Sequence, residues 1–307
     1  MTAHEGVPSV LDSVLRDVPG LDGGPFHVSP LPGGLTNQNY RAVAANGRQL
    51  VVRLSTPQSD LLAIDRDAEH ANSLAAAAAG VGPRVLAYLP EHHALVIDWL
   101  EGRTLAATDL DDAPTLARVA TACRQLHAGP RFASDFDMVT LQQRYLELVI
   151  SRGFRLPPTY LDLLPRVTAV GHALATRPLP TVPCHCDLLP ANIMDDGERI
   201  WFIDFEYSGN ADPCFELGNL WSETGLPADR LEPLVSAYFG QPSRAMIARA
   251  RLFGLLANYG WTLWASIQAA TSTVDFDFWA WGLEKFDRAA AELDGPDVAG
   301  LINDVQQ

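Results

Sequence analysis

Residues 185 to 206 constrain this chain more than any other stretch. His185-Cys186-Asp187-Leu188-Leu189-Pro190-Ala191-Asn192 is followed shortly by Ile203-Asp204-Phe205-Glu206. Asn192 to Asp195 and Arg199 to Asp204 read as two short strands, and Asp195-Asp196-Gly197 between them is a hairpin turn signal. Such a hairpin brings Asn192 and Asp204, at its two ends, close together.

Two carboxylates and a carboxamide at this spacing match the needs of phosphoryl transfer. Asp187 is placed to take a hydroxyl proton, and Asn192 and Asp204 to hold magnesium. Mg²⁺ requires hard oxygen ligands and borrows some from substrate phosphates, so one or two protein side chains suffice. The plainer alternative is that Asp187 and Asp204 cap turns.

The periodicity changes near residue 98. Residues 26 to 54 alternate as strands, with Asn46-Gly47 a two-residue hairpin signal between Tyr40–Ala44 and Gln49–Leu54. An alanine-rich helix is predicted from about Asp60 to Ala79, closed by Gly80 and Pro83, and strands over Arg84 to Leu89 and Ala94 to Trp99. From Asp112 onward helical periods dominate, at 114–127, 138–151, 158–176, 213–239 in pieces, 243–270 and 273–293. The expected organisation is an N-terminal segment of residues 1–25, helical in part and partly loose, a small β-rich lobe over 26–98, and a larger, mostly helical lobe over 99–307. This is an α+β fold of two lobes.

At 48% hydrophobic and 19% charged residues, the chain can bury a full core. A formal charge of −15 argues against a nucleic acid or an anionic membrane as partner and favours a cationic one. No apolar run is long enough to span a bilayer, and the start, with Glu5 and Asp12, lacks the pattern of a signal peptide. A soluble, cytoplasmic protein is expected. Cys184-His185-Cys186 is too tight for a zinc knuckle, and Cys186 has no evident partner as a nucleophile, so buried reduced thiols are the expectation for all four cysteines.

Three segments together resemble the choline/ethanolamine kinase branch of the aminoglycoside phosphotransferase-like kinases, which share the protein-kinase-like fold. They are Pro32-Gly33-Gly34-Leu35-Thr36-Asn37-Gln38-Asn39-Tyr40, Cys184 to Glu206, and Trp261-Thr262-Leu263-Trp264-Ala265-Ser266-Ile267-Gln268. The likeness runs from about 31 to 286 and so covers both lobes. It implies ATP and Mg²⁺ as cofactors and a small cationic alcohol, choline or ethanolamine, as acceptor.

Site residues carry over by position. Gly33 and Gly34 let backbone amides approach a phosphate, with Thr36, Asn37 and Asn39 offering polar side chains. The strand lysine of protein kinases has no counterpart, since Lys285 is the only lysine; Arg53 takes that role, with Glu69 as its partner and Asp65 and Asp67 as competitors. Ile97, Asp98 and Leu100 match the hinge that binds adenine. Glu206, Tyr207, Glu223, Trp261, Trp264 and Trp281 match the acceptor site, where indole faces attract an ammonium. Trp261, Trp264 and Gln268 share one helix face; Trp279 and Trp281 are two apart, so at most one can join them. Without the likeness, paired tryptophans at helical spacing read as core, and His127 as a helix-end residue that packs and caps.

The chain also departs from its relatives. Leu189 is apolar within the catalytic loop, and Glu216 stands where Asp is usual. Asp204-Phe205-Glu206 replaces Asp-Phe-Gly, no Ala-Pro-Glu follows, and helix signals resume near Phe215, so a kinase without a phosphorylation switch is expected. The competing readings are an aminoglycoside or amino-sugar phosphotransferase and, from another class, a nucleotide-binding pseudokinase. Oligomeric state has no signature in the sequence.

Overall fold

The computed structural model describes residues 9–21, 24–56 and 61–307. Helix α1 (Val10–Asp17) is followed by strands β1 (Phe26–Leu31), β2 (Asn37–Ala44) and β3 (Gln49–Ser55), helix α2 (Arg66–Ala78), then β4 (Val85–Leu89) and β5 (Ala94–Asp98). The five strands form one antiparallel sheet in the order β1-β2-β3-β5-β4.

Strand alternation sorts this sheet into two faces. Tyr40, Ala42, Leu50, Val52, Ala94 and Val96 pack against Leu11, Val14 and Leu15 of α1, so the N-terminal helix is part of the lobe's core. The opposite face carries Asn39 beside Arg53 and Val51 beside Ile97. That face looks toward the second lobe.

Two local expectations change. The β2–β3 connection is a three-residue loop, not a two-residue one. Gly47 N donates to Ala44 O and Ala44 N to Arg48 O, each at 2.9 Å, and Gly47 takes φ +83°. A type I turn followed by a left-handed glycine keeps the strands paired with one extra residue. The α2 helix starts later than expected. Asp60 lies outside the described residues, and Asp65 caps the helix by accepting from the amides of Asp67 and Ala68. Its carboxylate therefore does not compete with Glu69.

The second lobe holds α3 (Ala113–His127), α4 (Met138–Arg152), α5 (Tyr160–Ala175), α6 (Pro213–Thr224), α7 (Leu231–Phe239), α8 (Arg244–Thr271), α9 (Phe278–Asp294) and α10 (Val298–Gln306). Short strands β6 (Arg103–Thr104), β8 (Ile193–Asp195) and β9 (Ile200–Phe202) form one small sheet, and β7 (Val182–Cys184) pairs with β10 (Gly209–Ala211). Helix α9 begins at Phe278, not 273, because Asp277 caps it by accepting from Ala280 N. Helix α10 escaped the periodicity; it buries only Val298 and Val305.

The long α8 is buried along most of its length. It lies hard against α6 where Gly218 faces Ala250 and Gly254: a Cβ at Gly218 would come within 2.0 Å of the Ala250 carbonyl oxygen. No helix among the described residues is long and apolar enough to cross a membrane.

Leu11 is 1% exposed beneath the sheet. Leu11→Ala is expected to cost about 2 to 5 kcal/mol in urea unfolding, as large-to-small changes in packed cores do, with kcat unchanged because the sheet's other face carries the site.

Candidate active site

The loop after β7 is held from below. Glu216 of α6 is fully buried and accepts from His185 N (2.7 Å) through Oε1 and from Cys186 N (2.9 Å) through Oε2. Cys186 sits at φ +64°, a conformation that costs a non-glycine residue about 1 to 2 kcal/mol. Two charge-assisted hydrogen bonds offset that cost. Burial works against Glu216's charge, but His127, with Nε2 at 3.6 Å, His185 and the His185 amide outweigh it, and its pKa lies below the ordinary glutamate value. His127 packs here and pairs with Tyr238 Oη at 2.7 Å; the helix end itself is capped by the Ala128 backbone.

His185 Nε2 lies 2.7 Å from the Ile203 carbonyl, which assigns the proton to that nitrogen. This contact joins the loop to the end of the β8–β9 hairpin. The hairpin forms as read from the sequence, with Ile193 opposite Phe202 and Asp195 opposite Ile200. At its ends Ile203 N donates to Asn192 O at 3.0 Å. Asn192 Nδ2 donates to the Asp187 carbonyl at 2.9 Å, which leaves Oδ1 as the atom suited to a metal.

Asp187 opens onto the inter-lobe cavity yet sits deep in the protein. That burial, followed by the charges of Glu223, Asp204 and Glu206, pushes its pKa well above the usual carboxylate range, with Lys285 opposing. A more basic carboxylate is a better proton acceptor.

Arg53 ties the lobes together. Its Nη1 lies 2.9 Å from Glu69 Oε1, and its Nη2 lies 2.6 Å from Asp204 Oδ1 and 3.1 Å from Glu206 Oε2. Arg66, which the sequence reading missed, joins Glu69 Oε2 at 2.6 Å and Glu206 Oε2 at 3.1 Å. Its available signal was the i,i+3 spacing from Glu69 at a helix start. Asp204 itself takes φ +69°.

Glu206 lines the inter-lobe cavity and also bridges the two lobes. Its Oε1 accepts from Thr36 Oγ1 (2.7 Å), and its Oε2 from Asn37 Nδ2 (2.8 Å), Arg53 and Arg66. Thr36 and Asn37 are correspondingly turned toward Glu206, and Asn37 Oδ1 accepts from Arg66 at 3.0 Å. These side chains bridge the lobes, so a phosphate would meet the loop's backbone. Phe205 to Ala211 are buried, the hydroxyls of Tyr207 and Ser208 among them, and α6 starts at Pro213. No exposed loop stands where protein kinases are switched.

A cavity of about 590 Å³ lies between the lobes. Gly33, Gly34, Asn39, Arg53, Ile97, Asp98 and Leu100 line one end, and Asp187, Asn192 and Asp204 the middle. At the hinge, Asp98 N donates to Arg84 O at 2.9 Å. Trp99, also lining the cavity, has a buried indole N–H with no partner, as does the Arg53 Nε–H.

Tyr207, Glu223, Trp261, Trp264 and Trp281 line the far end. Trp261 and Trp264 belong to the core and to the cavity wall at once, at 3% and 6% exposure. Their N–H groups are taken by Asn219 Oδ1 (3.0 Å) and Tyr207 Oη (2.8 Å), and ring contacts at 5.1 Å (Tyr207–Trp261) and 5.4 Å (Trp264–Trp281) form a box. Trp279 turns away and stacks on Arg155. Gln268 leaves the aromatic face too: its Nε2 donates to Leu35 O at 3.1 Å, tying α8 to the glycine loop. All four cysteines are buried, and burial pushes their thiols up.

Two carboxylates, a carboxamide and a buried guanidinium on a cavity between two such lobes are the arrangement of a kinase-like phosphotransferase. The model of the phosphotransferase enzyme family matches residues 27–253, and the chain belongs to that family. Within it the chain falls in the choline/ethanolamine kinase branch. A choline/ethanolamine kinase family protein from Mesorhizobium loti is 33% identical with a TM-score of 0.84, covering 96% of this chain and 98% of that one. Human ethanolamine kinase 1 is 24% identical over 83% of this chain and 65% of its own length. A structure of LicA in complex with AMP, 23% identical over 87% of this chain and 92% of that one, shares the fold with a TM-score of 0.71.

Glu216→Gln should lower stability at neutral pH by about 1.5 to 3 kcal/mol, the scale of a buried hydrogen bond to a charged group. The native pKa is depressed, so Glu216's contribution is fully present above its ordinary value of 4.5 and is lost as pH falls through the lower native value. Denaturant unfolding across pH should show a constant gap between wild type and variant above that value and a narrowing one below it.

Proposed function

We propose that this enzyme transfers the γ-phosphoryl group of ATP to the hydroxyl of a small cationic amino alcohol, with choline as the acceptor. The observation that carries this reading is the aromatic box on the same cavity as Asp187. The indole N–H groups are donors already used by Asn219 and Tyr207, and the carboxylates on this wall, Glu206 and Glu223, are engaged by Arg53, Arg66 and Lys285, so the box offers π faces more than free hydrogen-bond acceptors. A quaternary ammonium needs only the faces, whereas a primary ammonium needs acceptors for three N–H groups.

The nucleotide would lie at the glycine-loop end. AMP in LicA supports a nucleotide in this fold. Backbone amides at Gly33 and Gly34, both at φ +89°, and the Arg53 guanidinium would hold the phosphates. Asn192 Oδ1 and Asp204 suit Mg²⁺, whose chemistry when bound is to neutralise charge on the phosphates. Asp187 accepts the hydroxyl proton as the alcohol oxygen attacks the γ-phosphorus in line, and ADP leaves.

Asp187→Asn should lower kcat by at least about 10²-fold, as loss of a general base does, while ATP binding measured by calorimetry is retained; full turnover by this variant would remove Asp187 from the mechanism. In a steady-state panel of choline, ethanolamine and an aminoglycoside, choline is expected to give the highest kcat/KM. Preference for the polycation would overturn the acceptor reading. Trp264→Leu should raise KM for choline by roughly 2- to 30-fold, the range of one cation–π contact, and leave KM for ATP unchanged.

A further inference from the structure

Lys285, the only lysine of the chain, is buried at 3% exposure on α9, one turn beyond Trp281. Its Nζ lies 2.5 Å from Glu223 Oε1 and 4.2 Å from the centre of the Trp281 ring. Glu223 and Trp281 both line the cavity that holds Asp187. An indole face with a carboxylate beside it is the combination a cationic ligand would require. Here a side chain of the protein already occupies it.

We propose that Lys285 is a resident cation: set behind Glu223 and Trp281 of the acceptor pocket's wall, it supplies the second positive charge there, so that the enzyme takes acceptors bearing one positive charge and rejects those bearing two. The proposal rests on the reading of the acceptor given above. Trp261, Trp264 and Tyr207 remain for the acceptor's own ammonium, and a second ammonium reaching toward Glu223 meets the charge of Lys285. Arg288, the next cation along α9, does not take its place, because Nη1 donates to the Ser222 carbonyl. Lysine is almost never fully buried unless paired. Removing it would leave Glu223, 7% exposed, as an uncompensated carboxylate beside a bare indole face.

The test compares choline with (3-aminopropyl)(2-hydroxyethyl)dimethylammonium, a choline in which one methyl is replaced by an aminopropyl arm and which carries two charges. Wild type should favour choline by about 100-fold in kcat/KM, the scale of a like-charge juxtaposition. In Lys285→Ala the ratio should reverse, with choline turnover down about tenfold and the dication turned over faster than by wild type. Added methylammonium, but not methanol, should restore choline turnover to Lys285→Ala, which a purely structural role for the side chain would not produce. Lys285→Arg should keep the wild-type ratio. If Lys285→Ala does not fold, Lys285→Met, which retains the aliphatic stem, carries the same comparison. An unchanged ratio in the folded variant, or equal rescue by methanol, overturns the proposal. Wild-type failure to phosphorylate choline would instead overturn the acceptor reading, a separately visible result.

Discussion

The buried guanidinium of Arg53 is the interaction on which the arrangement of the two lobes depends. It projects from the central sheet of the small lobe and meets Glu69 on that lobe's helix and Asp204 and Glu206 on the other lobe. Burial alone would lower its pKa, but the three carboxylates, Asp204 foremost, more than offset this and hold it charged. A lysine could not serve in the same way: an ammonium is a point charge, while the planar fork of arginine addresses several carboxylates in fixed directions. With Arg66 as a second cation the cluster satisfies Glu206, and Glu206 in turn draws in Thr36 and Asn37. The glycine loop is thereby docked onto the helical lobe, and the cavity takes its shape between them.

A second scaffold runs through α6. Its Glu216 clamps the catalytic loop, its Asn219 accepts from the Trp261 indole, and its Glu223 meets Lys285. These side chains occur at successive turns of one helix, so the Asp187 loop and the tryptophan wall are set by the same rigid element. The close approach of α6 to α8 at Gly218 fixes where the tryptophans stand. Gln268, near the other end of α8, then carries that register to the glycine loop.

Much of this fold was legible because it is local. Alternation of Leu50, Val52 and Leu54 with Val51 and Arg53 placed the arginine on the face opposite the core, and the turn at Asp195 to Gly197 brought Asn192 to the end of Ile203. The connection at Gly47 was legible as a turn but not in its length, because the extra residue is decided by strand pairing as well as by the dipeptide. Helix α1 was harder to place, since its apolar stripe matters only once a sheet face lies beneath it. Arg66 left only its i,i+3 spacing from Glu69, and the partners of Glu206 and the pair Glu223–Lys285 left no pattern, because their sequence separations follow from the packing of the lobes.

The sequence by itself determined the candidate groups: Asp187, Asn192 and Asp204 on one loop and hairpin, an arginine in place of a lysine, and indoles on one face of a late helix. Each is a matter of residue type and short spacing, which periodicity and turn geometry translate directly into position. The tertiary structure alone decided which of these groups are free to act. Glu206 is occupied between the lobes, Gln268 holds the loop, and Lys285 sits on Trp281, because a buried charge must find its counter-charge wherever the fold brings one within reach.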